Sequence, residues 1–161
     1  MMKSKTISIL ISWLLVVVTM FIIYCFSNET GVESSKTSGS IIKAFLEIFL
    51  PNDKVTDELI SKFQHPVRKL AHFSIYALLG FTLANAFNRS FKFKTLYKFV
   101  LPFVMVAVYA MSDEFHQGLV ANRGPSFKDV LIDSCGGLFG IVAFFIMIYI
   151  ISRLQIRNEK Y

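Results

Sequence analysis

Charge is scarce in this chain, and cysteine is almost absent. Charged residues make up 17% of the 161 residues, whereas soluble domains carry about a quarter. Hydrophobic residues reach 54%, and the mean hydropathy is +0.55. This composition excludes an ordinary soluble domain and indicates a membrane protein. The length predicts a single domain over residues 1–161, and no internal repeat or soluble enzyme domain is recognisable.

The two cysteines, Cys25 and Cys135, both lie inside apolar runs, and their spacing fits no metal-binding motif. We expect two unpaired core thiols. A bridge between them stays an alternative, because the predicted topology puts both toward the same membrane surface. The chain also lacks an H-E-x-x-H motif. The sequence therefore predicts no metal site and no cofactor.

Four segments are apolar and long enough to cross a bilayer, which predicts an all-α, polytopic membrane protein. The predicted spans are residues 7–26, 69–88, 98–119 and 130–152. The first follows two lysines as a signal peptide would, but it is too long and has no A-x-A site, so we expect it to stay uncleaved. The uncharged part of the third span is only Phe99–Ser112. At about 1.5 Å per residue it covers roughly 21 Å of a core near 30 Å. Its completion draws Asp113, Glu114 and His116 into the membrane zone.

The connection between the first two spans predicts one or two short helices at the membrane interface. Serine and threonine are frequent in Ser27–Ser40, so an irregular segment is expected there. Ile41–Leu50 has the apolar stripe of an amphipathic helix that Pro51 ends. Thr56 is a suitable N-cap for a further short helix. Pro66 is expected in the first turn of the second span.

Lysine and arginine predict the orientation. The N-terminus, the loop between spans two and three, and the C-terminus hold nine basic residues (Lys3, Lys5, Arg89, Lys92, Lys94, Lys98, Arg153, Arg157 and Lys160) against one acid, Glu159. The remaining segments hold eight basic residues and ten acids. The positive-inside rule therefore places both termini and the loop between spans two and three in the cytoplasm. This distribution explains the pI of about 9.4 without a nucleic-acid partner.

The predicted topology gathers the polar residues of three spans at one level, the outer ends of the helices. In the third span a helical repeat puts five of them on one face: Tyr109, Asp113, Glu114, His116 and Gln117. The second span contributes Arg68, His72 and Tyr76 at i, i+4, i+8, with Lys69 beside them. The fourth contributes Asp129 and Asp133, on the same arc as Gly136, Gly137 and Gly140. We expect Arg68 and Lys69 to pair with Asp113 and Glu114. Gly136 and Gly140 form a G-x-x-x-G pair and predict close contact with another helix.

The motifs that carry these residues resemble the VanZ family of bacterial membrane proteins. They are Phe26-Ser27, R-K-L-A-H-F-x-x-Y from Arg68 to Tyr76, S-D-E-F-H-Q from Ser112 to Gln117, Arg123, and D-V-L-I-D-S-C-G-G-L-F-G from Asp129 to Gly140. The family often has Pro-Gly before the loop arginine, where this chain has Ala121-Asn122. The resemblance implies a link to low-level resistance against teicoplanin-type glycopeptide antibiotics.

Four interpretations of the polar residues stay open. They could form a structural ion-pair network. They could bind an anionic outer-leaflet lipid or a lipid-linked cell-wall ligand, with Arg68, Lys69 and Arg123 as phosphate contacts. They could form an intramembrane enzyme with His72, Asp113, Glu114 and His116 as catalytic or metal-binding candidates. They could also line a proton or ion path. The predicted ligand-binding set is Arg68, Lys69, His72, Tyr76, Asp113, Glu114, His116, Gln117, Arg123, Asp129 and Asp133. Membrane lipids are the expected partners, and the oligomeric state is left open.

Overall fold

The computed structural model describes residues 2–51 and 54–158. In this part of the chain five α-helices form and no strand does. They are α1 (Met2–Ser27), α2 (Gly31–Phe49), α3 (Asp57–Ser90), α4 (Thr95–Gln117) and α5 (Phe127–Asn158). Glu159 and Lys160, which entered the charge argument for orientation, lie outside the described residues. The predicted all-α fold is confirmed.

Four of these helices are long and apolar enough to cross a membrane. The segments are Ser4–Ser27, Asp57–Ser90, Thr95–Gln117 and Phe127–Ile156, one in each of α1, α3, α4 and α5. Many large apolar side chains on them stay exposed, for example Leu10, Leu70 and Phe139. Such a surface is stable against lipid tails rather than water, so it is the surface that contacts the bilayer. The prediction of four helices that could cross a membrane is confirmed.

The centre of the bundle is the contact between α3 and α5, where the helices approach backbone to backbone. A Cβ atom added to Gly136 would meet the backbone of Phe73, and one on Gly140 would collide with the carbonyl of Ala77. Gly80 of α3 lies in the same way against the backbone of Gly137. We call these four glycines the glycine seam. They confirm the predicted close contact, since only glycine leaves room for it.

Helix α2 begins earlier than predicted, so the expectation of an irregular Ser27–Ser40 is wrong. Thr30 caps it through a reciprocal pair of bonds with Glu33. The serine hydroxyls inside α2 donate to carbonyls one turn back, as Ser35 does to Gly31 and Ser38 to Ser34. These bonds leave the helical backbone pairing intact. The predicted helix at Ile41–Leu50 is the second half of α2, which ends at Phe49.

Helix α3 merges the predicted short helix and the second span into one helix of 34 residues. Thr56 caps it as predicted, accepting a bond from the Leu59 amide. Pro66 lies inside the helix rather than in its first turn, which corrects the prediction. At about 1.5 Å per residue α3 is roughly 51 Å long, about 20 Å more than the bilayer core. Its first turns therefore extend beyond the core, where α2 packs on them.

The contact between α2 and this extension joins a polar and an apolar pair. Gln64 Nε2 donates to the Ser35 carbonyl at 3.2 Å. Ile42 and Ile60 are both buried. Cys25 and Cys135 are both free, as expected, but both are exposed, so the expectation of core thiols is wrong. Helices α1 and α4 end, and α5 begins, at the same end of the bundle. Helix α2 partly covers this end.

Candidate functional site

The end of the bundle that α2 covers collects the polar side chains, and we call it the polar end. It comprises Ser27 of α1, residues Arg68–Tyr76 of α3, Asp113–Gln117 of α4, Arg123 of the following loop, and Asp129 and Asp133 of α5. Asp113, Glu114, Gln117 and Asp133 are buried there. Polar side chains buried inside a membrane bundle are costly unless they find partners, so their contacts decide what this end can do.

Asp113 joins three helices through its carboxylate. The Ser27 hydroxyl donates to Oδ1 in a very short contact. Tyr76 donates to Oδ2 at 3.0 Å, and Gln117 Nε2 donates to the same oxygen at 3.1 Å. Gln117 also donates to the Ser27 oxygen at 3.0 Å. The carboxylate therefore links α1, α3 and α4, and its charge is stabilised by neutral hydroxyl and amide donors.

Asp133 is more deeply buried than Asp113 and accepts fewer hydrogen bonds. Its side chain is 1% exposed, and neither carboxylate oxygen has a hydrogen-bond partner in the described part of the chain. The nearest cationic atom is His72 Nδ1, 3.6 Å from Oδ1. That distance exceeds a normal hydrogen bond. Ligand atoms of His72, Asp113 and Asp133 all lie within 4.8 Å of one another.

The predicted pairing of Arg68 and Lys69 with Asp113 and Glu114 is wrong. Lys69 Nζ lies 3.4 Å from Asp129 Oδ1 instead. Glu114 accepts the Ser126 amide at 2.5 Å, so this α4 carboxylate covers the start of α5. Arg68 forms no ion pair within 4 Å among the residues that the structure describes. Helix rotation explains the difference, because Lys69 on α3 faces α5 rather than α4.

His116 stands apart from the other polar residues of α4. Its Nε2 lies 2.8 Å from Asn28 Oδ1, and its ring stacks on Tyr24 with centroids 5.3 Å apart. His116 is about 60° around the helix from Asp113, enough to turn it toward the end of α1. Tyr109, on the same predicted face, donates to the Met20 carbonyl at 2.7 Å. The predicted shared face therefore divides between the buried polar residues and the side of α1.

Two arginines with incomplete contacts face one cavity of about 190 Å³ between α1, α2 and α3. Arg123 donates from Nη2 to the Phe26 carbonyl at 3.5 Å, while its buried Nε and Nη1 have no partner in the described chain. Arg68 lines the same cavity, as does one acid, Glu29. Burial and then the charge of Arg68 lower the pKa of the Arg123 guanidinium. Glu29, Asp113 and Glu114 offset this lowering only in part, so the pKa of Arg123 stays below its ordinary value.

The remaining wall of this cavity is mainly apolar. Ile23 and Phe26 come from α1, Ile41 from α2, and Ile75 from α3. A larger groove of about 720 Å³ runs between α2 and the first turns of α3, and Arg68 and Asn122 also line it. This groove is wide and open to the surface, so it encloses a ligand less well than the smaller cavity does.

The VanZ/LLP1 family model matches residues 12–149. The chain belongs to the VanZ/LLP1 family. None of the curated proteins and none of the solved structures matches it. Every residue of the polar end lies within the part that matches the family. This VanZ/LLP1 chain is therefore a membrane protein whose polar end belongs to the family region.

The loop before Arg123 contains Ala121-Asn122, where the family resemblance led us to expect Pro-Gly. Asn122 adopts a φ of 59°, in the left-handed region that asparagine tolerates better than most residues. The Ala121 carbonyl accepts the Gly31 amide at 3.2 Å. A Cβ on Gly31 would collide with the Asn122 carbonyl. The loop is thus held against the start of α2, which positions Arg123 over the cavity.

Two residues at the end of α1 were not among the predicted site residues. Ser27 was part of a family motif without an assigned role, and it proves to be a donor to Asp113. Asn28 binds His116. Both directly follow the first span, so their position at a helix end was the available signal.

Proposed function

We propose that this VanZ/LLP1 membrane protein binds an anionic lipid or a lipid-linked cell-wall ligand in the cavity between α1, α2 and α3. The observation that carries the proposal is the pair Arg68 and Arg123, which face one cavity without an ion pair in the described chain. Guanidinium groups match phosphate oxygens with two parallel hydrogen bonds. A phosphate there would give the buried Nε and Nη1 of Arg123 the acceptors that they lack.

The shape of the cavity supports an amphiphilic ligand. Arginines at one part and isoleucine and phenylalanine side chains along the rest suit a charged headgroup followed by a hydrocarbon chain. A volume of about 190 Å³ holds only the first part of such a chain. The rest would lie in the bilayer beside α1 and α3.

Lipid titration of the full-length protein in detergent tests the proposal. A phosphate-bearing polyprenyl lipid and phosphatidylglycerol are compared with neutral phosphatidylcholine, and binding is read by native mass spectrometry. Loss of one charge-assisted contact costs about 1.5–3 kcal/mol, which is about 10-fold to 100-fold in affinity. We expect this loss in Arg68→Gln and in Arg123→Gln for the two lipids with a net negative charge, and not for phosphatidylcholine, whose phosphate is balanced by its choline.

Arg153→Gln is the matched control, because Arg153 is exposed near the other end of α5 and bonds Tyr149. It should bind like the wild type. Equal affinity of both cavity variants and the wild type, or equal binding of the neutral lipid, would contradict the proposal. Preference for the polyprenyl phosphate over phosphatidylglycerol would identify a lipid-linked ligand.

We further propose that the polar end faces outward from the bacterial cytoplasmic membrane, with both termini inside. The support is the excess of basic residues at the opposite end. Single cysteines at Ser35, Ser90 and Asn122, in a chain without Cys25 and Cys135, test it. A membrane-impermeant thiol reagent on intact cells should label positions 35 and 122. Labelling of position 90 alone would reverse the topology.

The family resemblance also leads us to propose a contribution to tolerance of teicoplanin-type glycopeptides. An alanine scan of the polar end in a susceptible bacterium, reading tolerance, protein level and Tm together, tests this. Arg123→Ala should abolish tolerance while the protein level and Tm stay near those of the wild type. If every loss of tolerance follows a loss of folded protein, a structural network is sufficient.

A further inference from the structure

Asp133 is a buried acid whose carboxylate oxygens accept no hydrogen bond from the described residues. Its side chain is 1% exposed, and both carboxylate oxygens lack a hydrogen bond within the described residues. A buried acceptor without a partner costs about 1–3 kcal/mol, and more for a charged group. Folded proteins rarely keep such groups without a reason. The one ion-pair neighbour of this carboxylate among the described residues is His72, 3.6 Å away, so both oxygens keep acceptors free for a further partner.

The atoms around Asp133 have the spacing of metal ligands. His72 Nδ1 and Asp133 Oδ1 are 3.6 Å apart. Two ligands at about 2.1 Å from a tetrahedral cation are about 3.4 Å apart. Asp113 contributes a second carboxylate as the third ligand, and the three ligand atoms lie within 4.8 Å of one another. A cation among them requires only small movements of side-chain atoms.

The charge of the group favours a divalent cation. Asp113 and Asp133 are both buried and flank one imidazole. With a neutral imidazole, which is the form that binds metals, the two carboxylates carry two negative charges. The ion pair of Lys69 is made with Asp129 and leaves these charges in place. One divalent cation would neutralise them and remove the cost of burying them.

The hydrogen bonds of Asp113 are compatible with metal binding and resemble its usual support. Each carboxylate oxygen has two lone pairs. Oδ1 accepts only the Ser27 hydroxyl, so one lone pair stays free. Tyr76 and Gln117 hold Oδ2 and orient the group. Metal-ligating carboxylates are commonly held by such outer hydrogen bonds.

We propose that His72, Asp113 and Asp133 bind one divalent transition-metal cation. A mixed imidazole and carboxylate set favours Zn²⁺, Mn²⁺ or Fe²⁺ over Ca²⁺ and Mg²⁺. A void of about 20 Å³ beside His72 and Asp133 is large enough for one water as a further ligand. The metal site adjoins the lipid cavity, since His72 lines that cavity, but its proposed ligands include neither Arg68 nor Arg123.

Metal binding to the full-length protein in detergent tests this inference without a lipid ligand. The chelator-treated protein is titrated with Zn²⁺ and Mn²⁺, and bound metal is counted by elemental mass spectrometry after gel filtration. We expect one equivalent for the wild type. Tyr76→Phe, which removes an outer hydrogen bond, should weaken binding about 10-fold to 100-fold. His72→Gln and Asp133→Asn should weaken it further.

His116→Gln is the matched control, since it removes a histidine of the same end that bonds Asn28 and stacks on Tyr24. It should keep one equivalent. If the ligand variants fail to fold, the visible spectrum of Co²⁺ bound to the wild type provides the second test, with loss on adding Zn²⁺ expected. Absence of binding to the wild type, or an unchanged equivalent in Asp133→Asn, would overturn the proposal. So would a Co²⁺ spectrum identical to that of the free ion.

Discussion

The glycine seam between α3 and α5 lies beside the polar end, and the two regions differ in how completely their atoms find packing or hydrogen-bond partners. Along the seam Gly136, Gly137 and Gly140 lie directly against backbone or side-chain atoms, with no room for another carbon. At the polar end, buried side-chain atoms of Asp133 and Arg123 have no hydrogen-bond partner in the described chain. Complete packing stabilises the fold. Buried polar atoms without a hydrogen-bond partner in the chain are instead candidates to bind a partner from outside the chain. The comparison therefore separates structural residues from candidate binding residues.

The largest expected effect comes from breaking the seam. Gly140→Leu places a side chain where the Cβ alone would collide with the Ala77 carbonyl. Backbone cannot move aside as a flexible side chain can, so α3 and α5 must separate. We expect the Tm in detergent to fall by about 6 °C or more, which corresponds to at least about 3 kcal/mol. Gly124→Leu is the control, because a Cβ at Gly124 meets nothing within 4 Å. Similar melting of both variants would mean that the seam does not support the fold.

An intermediate effect is expected inside the polar end, at the one carboxylate that is well satisfied. Tyr76→Phe keeps the ring beside Tyr109 but removes the donor to Asp113. Gln117 still donates to the same oxygen, so we expect a loss of about 1–2 kcal/mol in the free energy of unfolding. Tyr97→Phe is the control, since Tyr97 is exposed and its hydroxyl has no partner among the described residues. Equal unfolding free energies for the two variants would show that Asp113 does not need the tyrosine.

The smallest expected effect lies outside both regions, at the cap of α2. Thr30→Ala removes the acceptor for the Glu33 amide and should cost about 1 kcal/mol. Hydrogen bonds from the Thr30 amide and then from its hydroxyl lower the pKa of Glu33 below 4.5. Their stabilisation is thus present above that pH and is lost as the pH falls through the lowered pKa. The protection of α2 amides, relative to their intrinsic exchange rates at each pH, should therefore depend less on pH in the acid range in Thr30→Ala than in the wild type. An unchanged pH dependence would show that the Thr30 hydroxyl does not stabilise the ionised form of Glu33.

Sequence patterns predicted the features that depend on length and period. The four spans, the Thr56 cap and the G-x-x-x-G contact follow from hydropathy and helix geometry alone. The start of α2 had a signal that serine frequency outweighed, because Thr30-Gly-Val-Glu33 spells a capping box. Ion-pair partners were not predictable in this way. Helical spacing gives the level of Lys69 and Asp113 in the bundle, but the rotation of α3 against α4 and α5 decides which carboxylate Lys69 reaches.

The same limit applies to His116. Its level matches that of Asp113, and an offset of about 60° is small on a helical wheel. It is nevertheless enough to place the ring on Tyr24 rather than beside His72. Asp133 and Arg123 keep polar atoms without hydrogen bonds because the described parts of the neighbouring helices place no donor or acceptor within reach. This property belongs to the assembled bundle and cannot be predicted from one helix.

The glycine seam also determines the size of the polar end. Phe73, whose backbone lies against Gly136, directly follows His72, and Asp133 precedes Gly136 by less than one helical turn. The separation of His72 and Asp133 is therefore set by contact between two backbones, which are stiffer than any pair of side chains. A single methyl group at position 136 would widen the gap between imidazole and carboxylate without altering either residue. The distance between these two proposed metal ligands is thus fixed by a packing contact about one helical turn away.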